Sequence, residues 1–159
     1  MKKNLFVSSL LVCAATSFWA QPAAAGENWV GSWKLNAAKS TFTSPAVVRA
    51  ETLKFEATPA GIQLTSVGTD AQGKPMQGAY TSKFDGKDVV WTGNPSADMA
   101  SPKRIDDNNY ENVWKNGGKS MMTSKVAVSN DGKTLTITQT PTGAKDAAQS
   151  SVAVYDRQQ

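Results

Sequence analysis

The chain has 159 residues, 17 of them basic and 13 acidic, with no histidine and one cysteine. That length suits a single domain with a usable core, and a formal net charge of +4, evenly spread, lacks the clustered basic face that marks nucleic-acid binding. Without histidine there is no Ser-His or Cys-His nucleophilic site, no His-ligated zinc and no His-ligated haem, so no cofactor is expected.

Residues 1–25 read as a secretory signal. Lys2 and Lys3 form the basic start, an apolar run follows from Leu5, and Ala23-Ala24-Ala25 supplies the small-residue cleavage pattern. Cys13 lies inside this segment behind Val12, where a lipoprotein signal wants a small residue. Loss of the leader lowers the net charge by two. The remainder is polar and turn-rich and shows no second apolar span of roughly 18 residues, so no membrane span is expected. The expectation is a cleaved signal over 1–25, one domain over 26–159, and a periplasmic or secreted product.

The domain opens on Trp29-Val30-Gly31-Ser32-Trp33-Lys34-Leu35-Asn36 and closes on Val152-Ala153-Val154-Tyr155-Asp156-Arg157. Between them, turn signals recur at short spacing: Pro59-Ala60-Gly61, Asp70 to Gly73, Asp85-Gly86, Gly93-Asn94-Pro95, Asp107-Asn108, Asn116-Gly117-Gly118, Asn130-Asp131-Gly132 and Pro141-Thr142-Gly143. Short alternating runs separated this way predict about ten strands in an all-β sandwich or barrel with little helix. They fall at 29–36, 47–57, 61–69, 76–84, 87–92, 99–106, 109–115, 119–129, 133–140 and 149–157. Ala37 to Ser40 has room for one helical turn. Parity predicts inward faces carrying Leu53 and Phe55; Met76, Gly78, Tyr80, Ser82 and Phe84; and Leu135 and Ile137, with threonines opposite the last pair. The final strand is open to either parity. Asp106-Asp107, ahead of Asn108-Asn109, reads as a solvated turn rather than an acid/base pair.

Gly31-Ser32-Trp33 resembles the Gly-x-Trp that begins the first strand of lipocalins. The longer run from Trp29 to Leu35, with the closing Tyr155-Asp156, is similar to the two ends of intracellular fatty-acid-binding proteins. The chain also resembles small exported lipocalin-like bacterial proteins. The resemblance implies a single antiparallel calycin-like β-barrel in which first and last strands meet, and in which the Trp33 indole plugs the closed end beneath Arg157. Two differences stand out. Ser40-Thr41-Phe42 occupies the place of the step into a two-helix lid, so a full lid is not expected. Ala153-Val154-Tyr155 occupies the place of a carboxylate-holding Arg-x-Tyr, keeping the tyrosine and not the arginine.

The expected function is an exported binding protein holding a small apolar or amphipathic, lipid-like molecule inside the barrel. Candidate wall residues are Phe55, Tyr80, Trp91, Tyr110, Trp114 and Tyr155, which combine large apolar bodies with polar handles. Arg104 is the candidate polar anchor: with Ala153 in the usual arginine position an acidic head group needs another cation. If its strand alternates as Ala100, Pro102, Arg104 it faces the side of Tyr110 and Trp114; the other parity, Met99, Ser101, Lys103 and Ile105, competes and would leave Arg104 in solvent. The alternative is an envelope protein-binding module, an inhibitor or assembly factor, with a packed barrel and an exposed apolar patch. An isomerase or cyclase working through tyrosine and carboxylate groups ranks last, and enzymatic activity is not expected.

Overall fold

The computed structural model describes residues 28–43, 50–145 and 149–159; the expected signal and its cleavage point lie outside them. Ten antiparallel strands make one sheet: β1 (Gly31–Leu35), β2 (Ala50–Thr58), β3 (Gly61–Thr69), β4 (Pro75–Ser82), β5 (Val89–Val90), β6 (Met99–Arg104), β7 (Asn109–Asn116), β8 (Lys119–Val128), β9 (Thr134–Pro141) and β10 (Ser151–Arg157). Their order, β4-β3-β2-β1-β10-β9-β8-β7-β6-β5, is a meander in which β1 to β4 and β5 to β10 each pair with their sequence neighbours, β1 pairs with β10, and β4 and β5 are the two edges. The β1–β10 register sets Trp33 opposite Arg157 and Leu35 opposite Tyr155. A bridge between Ala79 and Thr92, with Ala79 N–H donating to Thr92 O at 2.9 Å and the reverse bond also 2.9 Å, draws β4 to the end of β5 and nearly closes the barrel. The fold is thus the expected all-β antiparallel barrel. The helical turn at Ala37–Lys39 is a 3₁₀ turn capped by Asn36, whose side chain accepts from Lys39 N–H at 3.2 Å.

Period-2 alternation sets what is buried. Leu53 and Phe55, Ile62 and Leu64, Tyr80, Tyr110, Val126 and Val128, and Leu135 and Ile137 all point inward. The last strand resolves in favour of Ala153 and Tyr155, leaving Val152 and Val154 half-buried on the outside. Met122 faces in while Met121 is exposed.

One end is plugged. Trp33 is fully buried, and its indole N–H donates to Trp29 O at 2.7 Å. The Arg157 guanidinium lies 4.1 Å from the Trp33 ring centroid and donates to Val30 O at 3.0 Å, to Gly132 O at 2.6 Å and to Asn28 O. Gly31 sits beneath it at φ +136°, where a Cβ would meet Arg157 Nη1 at 2.5 Å, so the glycine of Gly31-Ser32-Trp33 is dictated by this stack. Above the plug, Trp29, Phe84, Tyr110 and Phe55 pack ring against ring at 4.9–6.2 Å and fill the closed half.

Candidate functional site

The other half of the interior is open. A cavity of about 490 Å³ reaches from the Tyr110 layer to a mouth beside the β3–β4 turn and the loop from Gly93 to Ser96. Its apolar wall includes Phe55, Leu64, Trp91, Trp114, Val126 and Ile137, and Phe42, Met76, Pro95 and Met122 stand nearer the rim. The size lies within the about 300–1,000 Å³ usual for small-ligand sites.

Alternation places these rings at successive levels. Tyr80 on β4 meets Trp91, just beyond β5, edge to face at 5.2 Å, and Trp91 meets Trp114 on β7 at 4.7 Å. Gly78 lets this happen: a Cβ there would stand 3.0 Å from Trp91 Nε1. The indole N–H groups of Trp91 and Trp114 and the Ser124 hydroxyl are buried without a protein partner. Such groups in a cavity wall are open to water or to an acceptor on a bound molecule, because an unpaired buried donor is costly.

The opposite wall carries a carboxylate. Glu51 on β2 accepts a hydrogen bond from the Tyr155 hydroxyl at 2.5 Å, and the Ser66 hydroxyl on β3 also favours its ionised form. Burial lifts the Glu51 carboxyl above the usual carboxylate range, against the pull of these two donors. Tyr155 is raised well above the ordinary phenol, first by burial and then by the neighbouring charge of Glu51. Tyr80 and Tyr110 are raised likewise by burial. Asp70 at the rim has its Oδ1 engaged by the backbone N–H groups of Gln72 and Lys74 at 2.9 and 2.8 Å, as a turn former.

The structure therefore brings Phe55, Tyr80, Trp91, Tyr110, Trp114 and Tyr155 around one cavity. Arg104, the expected anchor, is not among the described residues that line it. Of the two parities, the register takes the one that pairs Arg104 with Tyr110, Pro102 with Asn112 and Ala100 with Trp114. The level is not that of the cavity. Arg104 is the last residue of β6, at the plugged end, where its guanidinium reaches out to the Asp107 carboxylate and Asp106 O. Turning it inward would bury a charge under the Trp29–Tyr110 cluster, which is strongly unfavourable. Asp106-Asp107 belongs to the turn that receives it, and Asp106 Oδ1 accepts from Asn108 N–H and the Asn109 side chain, both at 2.8 Å.

Glu51 is the residue that sequence reasoning missed. Its signal was present: Glu51 shares parity with Leu53 and Phe55, so a carboxylate sits on the apolar face of β2. Among the described residues no group of histidine, cysteine or carboxylate side chains has metal-binding geometry, and no helix is long and apolar enough to cross a membrane.

No protein-family model matches the chain, and no curated protein matches it. Among solved structures the chain is similar to a de novo designed, fluorescence-activating β-barrel, at 10% identity over 84% of this chain and 97% of that one, with a TM-score of 0.43.

Proposed function

We propose that this protein, exported by the leader at residues 1–25, holds one small apolar or amphipathic molecule in the open half of its barrel. The observation that carries this is the cavity itself: about 490 Å³, walled among the described residues by Trp91, Trp114, Tyr80 and aliphatic side chains. A barrel serving as a solid docking block would gain nothing from forgoing contacts in half its core. Among the described residues the large exposed apolar side chains, Val67, Val90, Ile105 and Met121, are spread over β3, β5, the β6–β7 turn and β8, which gives the protein-docking reading little support. The Gly31-Trp33-Arg157 stack supports a lipocalin-like ancestry, and we read the barrel as calycin-like on that ground.

A lifted carboxyl in a cavity also suits proton transfer. Among the described residues, Tyr155 beside Glu51 is a weaker acid than a free phenol and Asp70 is engaged in its turn, which favours holding a molecule over transferring a proton. Binding is therefore the reading we adopt.

Retinol tests it, being neutral, largely apolar and able to accept energy from indoles. Wild-type protein should bind it at one equivalent, with energy transfer from tryptophan. Trp91→Phe combined with Trp114→Phe should weaken that transfer markedly while unfolding stays cooperative. Unchanged transfer would put the ligand outside this cavity.

A further inference from the structure

The charge inside the cavity selects among amphipathic molecules. Of the described residues that line it, the carboxylic acids are Glu51 and Asp70, and none is Lys or Arg. Asp70 sits at the rim with one oxygen engaged by two backbone N–H groups. Glu51 lies deeper, held in place by Tyr155 at 2.5 Å, with the Ser66 hydroxyl as a weaker second donor. A carboxylate accepts up to about four hydrogen bonds, so these two donors leave it capacity for a third partner. The aromatic rings of Tyr80, Trp91 and Trp114 occupy the same chamber, and their electron-rich faces attract cations. A fatty-acid carboxylate would meet a like charge and no lining cation.

We propose that Glu51 is the polar anchor of the cavity and that its ligand is an amine, charged at neutral pH, on an apolar body. This rests on the ligand-binding reading above and narrows it. The ammonium donates to the free lone pairs of Glu51, while the apolar body fills the space between Leu64, Val126 and Ile137 and extends toward the indoles across the cavity. Burial raises the Glu51 carboxyl in the free protein, and an ammonium beside it restores the ionised form. Tyr155 is a positioning residue, fixing the carboxylate by its hydroxyl.

Three molecules with one body and different heads test this: 4-phenylbutylamine, 4-phenylbutanol and 4-phenylbutyrate, titrated calorimetrically into the purified protein at pH 8. The amine should bind tightest, by roughly ten- to a hundredfold over the alcohol, as a charge-assisted hydrogen bond provides, with the carboxylate weakest. In Glu51→Gln the amine's advantage over the alcohol should collapse to about the neutral hydrogen-bond level, a few-fold at most. Thermal unfolding of the variant checks that it folds; if it does not, the wild-type order alone decides. A carboxylate bound as tightly as the amine overturns the proposal and implies a cation from outside the described residues. An amine preference that survives in Glu51→Gln overturns it too. If the alcohol binds and the amine gains nothing over it, this inference fails while the binding reading stands. If none of the three binds, the alcohol included, both fail together.

Discussion

Trp33 joins the plug to the rest of the barrel: its ring stacks under Arg157, its N–H ties to Trp29 O, and its faces meet the closed-half core. Trp33→Ala should therefore cost about 3–5 kcal/mol, the range for truncating a large buried aromatic, read as a lower midpoint in urea. An unchanged midpoint would show that the plug contributes nothing to stability. Glu51 makes an opposite kind of contribution. Its folded-state pKa is raised above the unfolded value by burial, so the native state holds its proton longer than the unfolded chain. Any stability it lends is complete below the unfolded pKa of about 4.3 and is lost as pH rises through the folded pKa. The exposed aspartates 85, 88, 106, 131 and 156 are lowered, chiefly by their hydrogen bonds, and slope the other way. Both proteins share them, so they cancel in a comparison with Glu51→Gln. The stability of Glu51→Gln relative to wild type should rise with pH above about 4.3 and then level off. A difference flat across pH 4 to 8 would mean that Glu51 ionises as freely in the fold as in the unfolded chain.

The strands were legible because parity is a local signal and one face of each is buried. Leu53 and Phe55 of β2, and Leu135 and Ile137 of β9, declare their faces without any knowledge of the barrel. In β10 the sequence alternates valine with alanine and tyrosine, apolar on both sides, and only the partner strands settle that Tyr155 goes in to meet Glu51. For β6 parity left Arg104 two sides and gave no height, since height follows from which end of the barrel is plugged, a property of all ten strands together. Glu51 was hidden by the ordinary expectation that a glutamate in a strand faces water. The Arg104 prediction can now be inverted. Arg104→Met should leave the affinity for 4-phenylbutyrate relative to 4-phenylbutanol unchanged, because the guanidinium lies with Asp107 at the plugged end. A selective tenfold loss for the acid would return Arg104 to the site.

At the scale of the whole barrel the staves are unequal. β7 and β8 pair over eight residue positions, whereas β5 contributes two to β6, and β4 meets this segment through the Ala79–Thr92 bridge. The chains still run close there: a Cβ on Gly93 would come within 2.3 Å of Gln77 O, and Gly93 holds φ +74°. The seam is thus tight but short of hydrogen bonds, and local opening concentrates where few backbone bonds must break. It also bounds the cavity, for Gly78 and Tyr80 line it from one side of the seam and Trp91 and Gly93 from the other. A ligand seated against Tyr80 and Trp91 bridges the two edges and adds its binding free energy to the closed form. Hydrogen exchange should therefore find Ala79 and Thr92 opening well before the paired amides of β8 and β9. Saturating 4-phenylbutylamine should slow exchange at these two amides more than at Val126 or Ile137. Equal protection at the seam and in β8 and β9 without ligand would mean that the barrel opens only by global unfolding. Slowing spread evenly over all strands would place the ligand's grip elsewhere than on the seam.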